Sequence, residues 1–238
     1  MKNLVLIGGG NQSHYTIDII EKEGKYNIIG IIDSIHDVGS DRFGYKIIGR
    51  QEDLIGLIEE YNIDVGVISV GDNGSRYLIY NKIISQVLNF TFVNAIHPSV
   101  IIGNNVTLGV GIVAMAGCIF NPKSEIGNFT FFATGAQVEH DNKINDFSSI
   151  SAGSITGGFV SLGKFSAITL GVTVLDRIEI GENTVVGAGS LVIKSLPDNV
   201  LAYGNPAKII RSRNPFEKCC YSWLYDYYRN GDNQLWVF

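Results

Sequence analysis

A six-residue repeat runs through the second half of the chain. Between Ile96 and Pro197 the sequence divides into seventeen consecutive hexads without an insertion, and every opening residue except Thr156 is apolar. Neither the 3.6-residue period of an α-helix nor the two-residue period of an ordinary strand fits this spacing. A hexapeptide repeat of this length predicts a parallel β-helix in which three short strands make each coil.

A second period of eighteen residues, or one coil, lies on top of the first. It is marked by Leu108-Gly109, Ile126-Gly127, Ile144-Asn145, Leu162-Gly163 and Ile180-Gly181. We expect glycine or asparagine at these positions because the chain turns there and φ becomes positive.

The first part of the chain follows a different pattern. Apolar strands are predicted at 3–7, 26–32 and 64–70, and helical patterns follow the glycine run and occupy 51–61 and 75–88. Strands that alternate with helices indicate a small parallel sheet of Rossmann-like, doubly wound type. We therefore predict an α/β domain over 1–94, an all-β helix domain over 95–214, and an aromatic tail over 215–238 that packs on the β-helix.

Three polar loops follow the three predicted strands, where ligands of such sheets bind. The amides before the first helix suit phosphate, and Arg76 is a candidate for a bidentate phosphate contact. Asp33 could accept hydrogen bonds from a ribose or a base. A tight turn without a ligand is the alternative for the glycine loop alone, but the convergence of three loops favours a nucleotide-type ligand. The candidate binding residues are Gly8, Gly10, Asn11, Gln12, Asp33, Ser34, Gly71, Asn73 and Arg76.

His140 is the candidate general base of the β-helix. It is the only histidine within the body of the repeat, and it is not at an inward position. Asp141, or second to it Glu139, is the candidate carboxylate that fixes its tautomer. Gly158 lies one coil further on, where an exposed N–H could stabilise an oxyanion. A surface histidine in a polar turn is the alternative, and the spacing and neighbouring acid favour the catalytic interpretation.

Composition excludes several classes of function. The net charge of −5 argues against a general nucleic-acid binder. The run from Leu4 to Ile7 is too short for a signal peptide or a membrane span. Three cysteines, Cys118, Cys219 and Cys220, lack a disulfide framework and indicate reduced thiols in the cytoplasm. No pair of histidines has metal-ligand spacing, so we predict no metal.

Three sequence features together resemble one family of enzymes. They are the hexapeptide array carrying His140-Asp141, the segment Tyr203-Gly204-Asn205-Pro206-Ala207-Lys208, and the opening Leu4-Val5-Leu6-Ile7-Gly8-Gly9-Gly10. They resemble left-handed β-helix acyltransferases, and in particular the bacterial nucleotide-aminosugar N-acetyltransferases and sialic-acid O-acetyltransferases. The resemblance covers about residues 1–210.

The resemblance implies a homotrimer that binds acetyl-CoA in clefts between adjacent β-helices. Residues matching the CoA-binding positions are Leu170, Ala188, Asn205, Pro206 and Lys208. It also implies a nucleotide-linked amino sugar held by the N-terminal domain. We expect a UDP- or dTDP-linked 4-amino-4,6-dideoxy sugar for surface polysaccharide such as O-antigen, because 4-amino-4,6-dideoxy sugars are common among the relatives. Gln12 stands where many relatives have histidine, and Ser149 stands where some have a second histidine.

Two other functions fit the same sequence. The first is a sialic-acid O-acetyltransferase, because the residues do not distinguish an amine acceptor from a hydroxyl acceptor. The second is a non-catalytic trimeric scaffold with a nucleotide-binding domain, against which the spacing of His140 and Gly158 argues.

Overall fold

The computed structural model describes residues 1–215 and 217–218. Most of the predicted aromatic tail at 215–238 therefore lies outside the described residues.

The N-terminal domain is a five-stranded sheet flanked by helices. Strand β1 (Lys2–Ile7) leads into α1 (Gln12–Glu23), β2 (Tyr26–Ile32), β3 (Asp41–Arg42) and β4 (Tyr45–Gly49). A 3₁₀ turn (Gln51–Asp53) runs into α2 (Leu54–Tyr61), followed by β5 (Val65–Ile68) and α3 (Asn73–Gln86). The strand order is β3-β4-β2-β1-β5, and β4, β2, β1 and β5 are parallel. The predicted Rossmann-like sheet is confirmed, and the β3–β4 hairpin extends it beyond the prediction.

The second domain is built from short strands at every sixth residue. Strands β6 to β22 each have two residues: Ala95–Ile96, Ile101–Ile102, Thr107–Leu108, Val113–Ala114, Ile119–Phe120, Glu125–Ile126, Phe131–Phe132, Gln137–Val138, Lys143–Ile144, Ser149–Ile150, Ile155–Thr156, Ser161–Leu162, Ala167–Ile168, Thr173–Val174, Glu179–Ile180, Val185–Val186 and Leu191–Val192. Strands β23 (Val200–Gly204) and β24 (Ala207–Ser212) close the domain as an antiparallel hairpin.

The strands stack into three parallel sheets, which confirms the predicted β-helix. Each pairs with the strand eighteen residues away, as in the register Ile119↔Gln137. The sheet orders are β22-β19-β16-β13-β10-β7, β20-β17-β14-β11-β8 and β24-β23-β21-β18-β15-β12-β9-β6. We call the first the six-stranded face and the second the five-stranded face, while the third carries the N-terminal domain.

The second residue of the two-residue strands, apart from the exposed Ile102 of the first coil, points into the coil and forms the core. Ile126, Ile144 and Leu162 are almost fully buried on successive coils. Cys118 is also buried, and burial raises the pKa of its thiol to about 11, so this residue packs in the core. The polar exception, Thr156, is buried as well, and its Oγ1 accepts a hydrogen bond of 3.0 Å from Asn142 Nδ2.

The glycines of the eighteen-residue period are needed for close packing rather than for a positive φ. Gly109 and Gly127 are not among the positive-φ residues, but a Cβ at either would lie within 2.7 Å of the next coil. The positive φ falls two residues later, on Phe129, Phe147 and Phe165. The reason predicted from the sequence is therefore wrong, although the positions are right.

The two domains pack against each other through an aromatic column. Phe147 stacks on Phe129 and on Phe165, with ring centroids 5.1 and 5.7 Å apart. Tyr77 and Tyr80 of α3 cover this column with edge-on and tilted contacts. The column therefore fixes α3, and the loop before it, on one corner of the β-helix.

Candidate active site

His140 and Asp141 lie together at the corner between the six-stranded and five-stranded faces. His140 Nδ1 is 2.8 Å from Asp141 Oδ2, and about half of the imidazole, 51%, is exposed to solvent. Nε2 has no hydrogen-bond partner within the described part of the chain. This arrangement favours the tautomer with the proton on Nδ1, and it leaves Nε2 to accept a proton.

A buried asparagine supports the turn that presents this pair. Asn142 is almost fully buried, and its Nδ2 donates to Glu139 O at 2.6 Å and to Gly157 O at 3.0 Å. The Oδ1 atom of Asn142 accepts from the amide of Val160 on the next coil. Asp141 itself adopts φ 56°, a left-handed conformation that aspartate tolerates better than most residues. These hydrogen bonds therefore hold the corner in place against the core of the β-helix.

Gly158 lies directly against the imidazole, as the eighteen-residue spacing predicts. A Cβ at this position would lie 2.7 Å from both Cε1 and Nε2 of His140. Its amide, however, donates to Asp176 Oδ1 at 2.8 Å. The expectation of an exposed N–H at Gly158 is therefore wrong, because the side chain one coil further on occupies it.

Phe159 and Arg177 extend the corner beyond His140. The Phe159 ring meets the imidazole edge-on at 5.3 Å, and the Arg177 guanidinium lies 4.4 Å from the centroid of the same ring. Phe159 is nevertheless 45% exposed. Neither residue is singled out in the sequence, although Phe159 lies eighteen residues after Asp141 and Arg177 eighteen residues after Phe159.

The glycine loop between β1 and α1 has space beside it. Gly8 has φ 111° and packs on Val70, whereas a Cβ at Gly10 would meet nothing within 4 Å. Asn11 caps α1 without using its side chain. Gln12 Oε1 lies close to Gly71, and its Nε2 is buried without a hydrogen-bond partner. Polar groups of the first and third loops therefore meet, as predicted.

The Asp33 carboxylate is engaged within the protein. It is 6% exposed, and its Oδ2 accepts from the His36 amide at 2.9 Å and from His36 Nδ1. Burial acts to raise the pKa of Asp33, but hydrogen bonds from His36 and Gly9 outweigh it and lower that pKa. Ser34 is exposed beside it. The sequence alone assigns no role to His36.

Arg76 and Asn73 are structural, so the predicted phosphate contact by Arg76 is wrong. Arg76 is 1% exposed and donates to the carbonyls of Phe129 at 2.9 Å, Gly71 at 2.7 Å and Ser148 at 3.0 Å. Asn73 accepts from Arg76 and donates to the carbonyl of Phe165. Both side chains bind the β-helix backbone because α3 packs on it, and this tertiary contact is not visible in the local sequence.

The residues matched to CoA binding lie away from His140 within one chain. Leu170 and Ala188 are exposed on successive coils, since the amide of Gly189 donates to Leu170 O at 2.8 Å. They precede β19 and β22, whereas His140 follows β13, so they border opposite edges of the six-stranded face. Asn205 and Pro206, joined by a cis peptide bond, form the tip of the closing hairpin, and Lys208 is the second residue of its return strand.

Metal clusters and membrane spans are both absent from the described part of the chain. No group of three or more histidine, cysteine, aspartate or glutamate side chains there could hold a metal ion. None of its helices has both the length and the apolar character needed to cross a bilayer.

The fold is shared with known proteins. The PglD N-terminal domain family matches residues 3–83. The GDP-perosamine N-acetyl transferase of Caulobacter crescentus, solved as a histidine mutant with CoA and GDP-perosamine, is 33% identical with a TM-score of 0.83. The alignment covers 89% of this chain and 98% of that one. The acetyltransferase domain of PglB from Neisseria gonorrhoeae, solved with acetyl coenzyme A, is 27% identical with a TM-score of 0.80, covering 88% and 99% of the two chains.

Another protein similar to this chain is an O-acetyltransferase. The galactoside O-acetyltransferase of Lactococcus lactis is 28% identical over 171 residues, which span 71% of this chain and 81% of the relative. The fold and these likenesses define an acyltransferase of the left-handed β-helix class with a Rossmann-like N-terminal domain. More narrowly, the chain belongs to the family of sugar N-acetyltransferases that includes the Caulobacter crescentus enzyme.

Proposed function

We propose that this enzyme transfers the acetyl group of acetyl-CoA to the amino group of a nucleotide-linked amino sugar, with His140 as general base. The observation that carries the proposal is the half-exposed imidazole with its Nδ1 bound to Asp141 at 2.8 Å. A base with an oriented ring and a free Nε2 is what removal of a proton from an attacking amine requires.

The reaction is a direct transfer. The neutral amine attacks the thioester carbonyl, and the new C–N bond forms while His140 Nε2 takes a proton from nitrogen. The C–S bond then breaks, and the CoA sulfur receives a proton from the imidazolium. Asp141 stabilises the transient positive charge on the ring. Gly158 supports the ring by contact, and its N–H can serve the oxyanion only if it leaves Asp176.

The donor site is proposed to form between subunits of a homotrimer. Leu170 and Ala188 border one edge of the six-stranded face and His140 the other, so one chain alone does not enclose a CoA molecule between them. The outward residues of this face are largely apolar, as at Ile119, Ile155 and Leu191. The five-stranded face presents Glu125, Lys143 and Glu179 instead. An apolar face next to the site suits a subunit interface.

The acceptor is proposed to bind through the glycine loop of the N-terminal domain. The space beside Gly10 and the buried, unpartnered Nε2 of Gln12 support this position. Because the similar Caulobacter crescentus enzyme was solved with GDP-perosamine, a GDP-linked amino sugar joins UDP- and dTDP-linked 4-amino-4,6-dideoxy sugars as a candidate. A role in surface polysaccharide or glycan synthesis follows from such a substrate.

The test is release of free thiol from acetyl-CoA in the presence of a panel of acceptors. The panel contains GDP-, UDP- and dTDP-linked amino sugars, CMP-sialic acid and galactosides. We expect thiol release with one nucleotide amino sugar, and mass spectrometry should find the acetyl group on nitrogen. Release only with sialic acid or a galactoside would replace the proposal with O-acetylation. Binding of CoA and nucleotide without turnover across the panel would support the scaffold alternative.

A further inference from the structure

His36 is held in one orientation at the end of β2. Its Nδ1 and its backbone amide both bind Asp33 Oδ2. Arg50 fixes the loop from the other side, because its guanidinium donates to Asp33 O at 2.8 Å and also to His36 O. Arg50 is anchored in turn, since its amide donates to Asp53 Oδ2 at 3.1 Å. An imidazole with this many restraints in a surface loop is preorganised, and preorganisation reduces the entropy cost of binding a ligand.

The same contacts leave one ring nitrogen available. With Nδ1 directed at a carboxylate, the neutral imidazole carries its proton there, and Nε2 is a hydrogen-bond acceptor. The side chain is 30% exposed, and Nε2 has no protein partner among the residues that the structure describes. The Asp33 carboxylate, by contrast, is buried and already accepts hydrogen bonds from the protein.

The carboxylate that holds the imidazole lies next to the glycine loop. A Cβ at Gly9 would lie 3.2 Å from Asp33 Oδ2, the atom that His36 Nδ1 contacts. Gly9 is further fixed by Arg42, whose Nε donates to its carbonyl at 3.1 Å. In doubly wound folds an acceptor at the end of the second strand binds the nucleoside part of the ligand. Here the exposed acceptor at that place is an imidazole and not a carboxylate.

We propose that His36 Nε2 accepts a hydrogen bond from the nucleoside portion of the nucleotide sugar, and that Asp33 is the residue that positions it. This inference rests on the proposed function, because it assumes that the N-terminal domain binds a nucleotide. It assigns nucleoside recognition to a residue that is not among the binding residues predicted from the sequence.

The test is calorimetric titration of the full chain with UDP, dTDP, GDP, inorganic diphosphate and CoA. Three variants are compared with wild type: His36→Phe removes the acceptor, His36→Gln keeps one, and His97→Gln is a control at the domain junction. We expect His36→Phe to raise the Kd of the preferred nucleoside diphosphate about tenfold, the effect of roughly one well-made hydrogen bond. The Kd values of inorganic diphosphate and CoA should not change, and His36→Gln should lie nearer wild type.

The outcomes separate this inference from the proposed function. If wild type binds none of the nucleoside diphosphates, the proposed acceptor class fails and the His36 assignment fails with it. If wild type binds one of them and His36→Phe binds it equally well, only the His36 assignment is overturned. A parallel loss of inorganic diphosphate binding would assign the contact to phosphate and contradict the nucleoside assignment.

Thermal unfolding of each variant shows whether the protein is still folded. If His36→Phe does not fold, His36→Ala takes its place as the variant without an acceptor. A raised Kd for the nucleoside diphosphate in His36→Ala, with a Kd for His36→Gln within twofold of wild type, supports the assignment. Unchanged nucleoside diphosphate binding by a folded His36→Ala, or an equal loss for all probes, contradicts it.

Discussion

Substitution of Gly158 by alanine tests how strongly the reaction depends on the position of the His140 imidazole, the proposed general base. The added Cβ would lie 2.7 Å from Cε1 and Nε2 of His140, whereas ordinary contact begins at 3.4 Å, so the ring must move by at least 0.7 Å. Gly158 does not have a positive φ, so alanine fits the backbone there. The Asp176 bond is to the backbone amide, which alanine retains.

The magnitude follows from the displacement. A shift of about 1 Å in a catalytic group can cost roughly a hundredfold in rate. We expect Gly158→Ala to lower kcat by about that factor in the thiol-release assay, with KM for acetyl-CoA and Tm nearly unchanged. Gly56→Ala is the matched control, because Gly56 is exposed in α2 and a Cβ there meets nothing within 4 Å.

A double-mutant cycle shows whether the loss acts through the ring. In a His140→Ala background there is no imidazole to displace, so Gly158→Ala should have no further effect on the residual rate. A Gly158→Ala enzyme with kcat within about threefold of wild type would refute the steric reasoning, since the displacement is expected to cost far more. Equal losses in both backgrounds would show that Gly158 acts independently of His140.

Three further predictions concern stability and reactivity. Arg76→Met should lower the free energy of unfolding by about 3 kcal/mol or more in urea titrations, because buried carbonyls lose a charged donor. A raised KM for the nucleotide sugar with unchanged stability would instead assign Arg76 to phosphate binding. Asp33, whose pKa is lowered in the folded state, stabilises the fold above the ordinary carboxyl pKa of about 3.9, and this stability is lost as pH falls through the folded value. Asp33→Asn should therefore flatten the acid limb of the stability profile, and an unchanged limb would contradict this. In a variant with Cys219→Ser and Cys220→Ser, Cys118 is the remaining thiol, and it should not react with a thiol reagent at pH 8 until urea is added. The reason is that burial raises the pKa of Cys118 to about 11. Rapid labelling of the folded variant would contradict this prediction.

The fold is predictable from the sequence because it depends on local spacing. The opening residues of the hexads form the inward-facing row, and the period survives over seventeen units, so strand positions follow from the sequence alone. The same spacing is enough to place Gly158 beside His140, because residues eighteen apart stack on successive coils. Asp141 is adjacent to His140 in the chain, and adjacent residues need no tertiary information to be paired.

The errors arise where tertiary contacts decide a side chain's role. In the sequence, Arg76 resembles a phosphate ligand because it follows a polar loop. In the structure α3 packs on the β-helix, and the Arg76 guanidinium donates to backbone carbonyls there. The eighteen-residue spacing places Asp176 on the coil after Gly158, but it does not show that the Asp176 carboxylate turns towards the Gly158 amide. Asp33 and His36 exchange roles for a similar reason, since only the fold of the loop shows which of the two is exposed.

The most direct test of the central claim is the kcat of His140→Ala with saturating acetyl-CoA and the acceptor identified from the panel. The account predicts a fall of about two to four orders of magnitude, the usual contribution of general-base catalysis. Calorimetry should find unchanged Kd values for CoA and the nucleoside diphosphate. A kcat close to that of wild type in a folded variant would show that His140 is not the base.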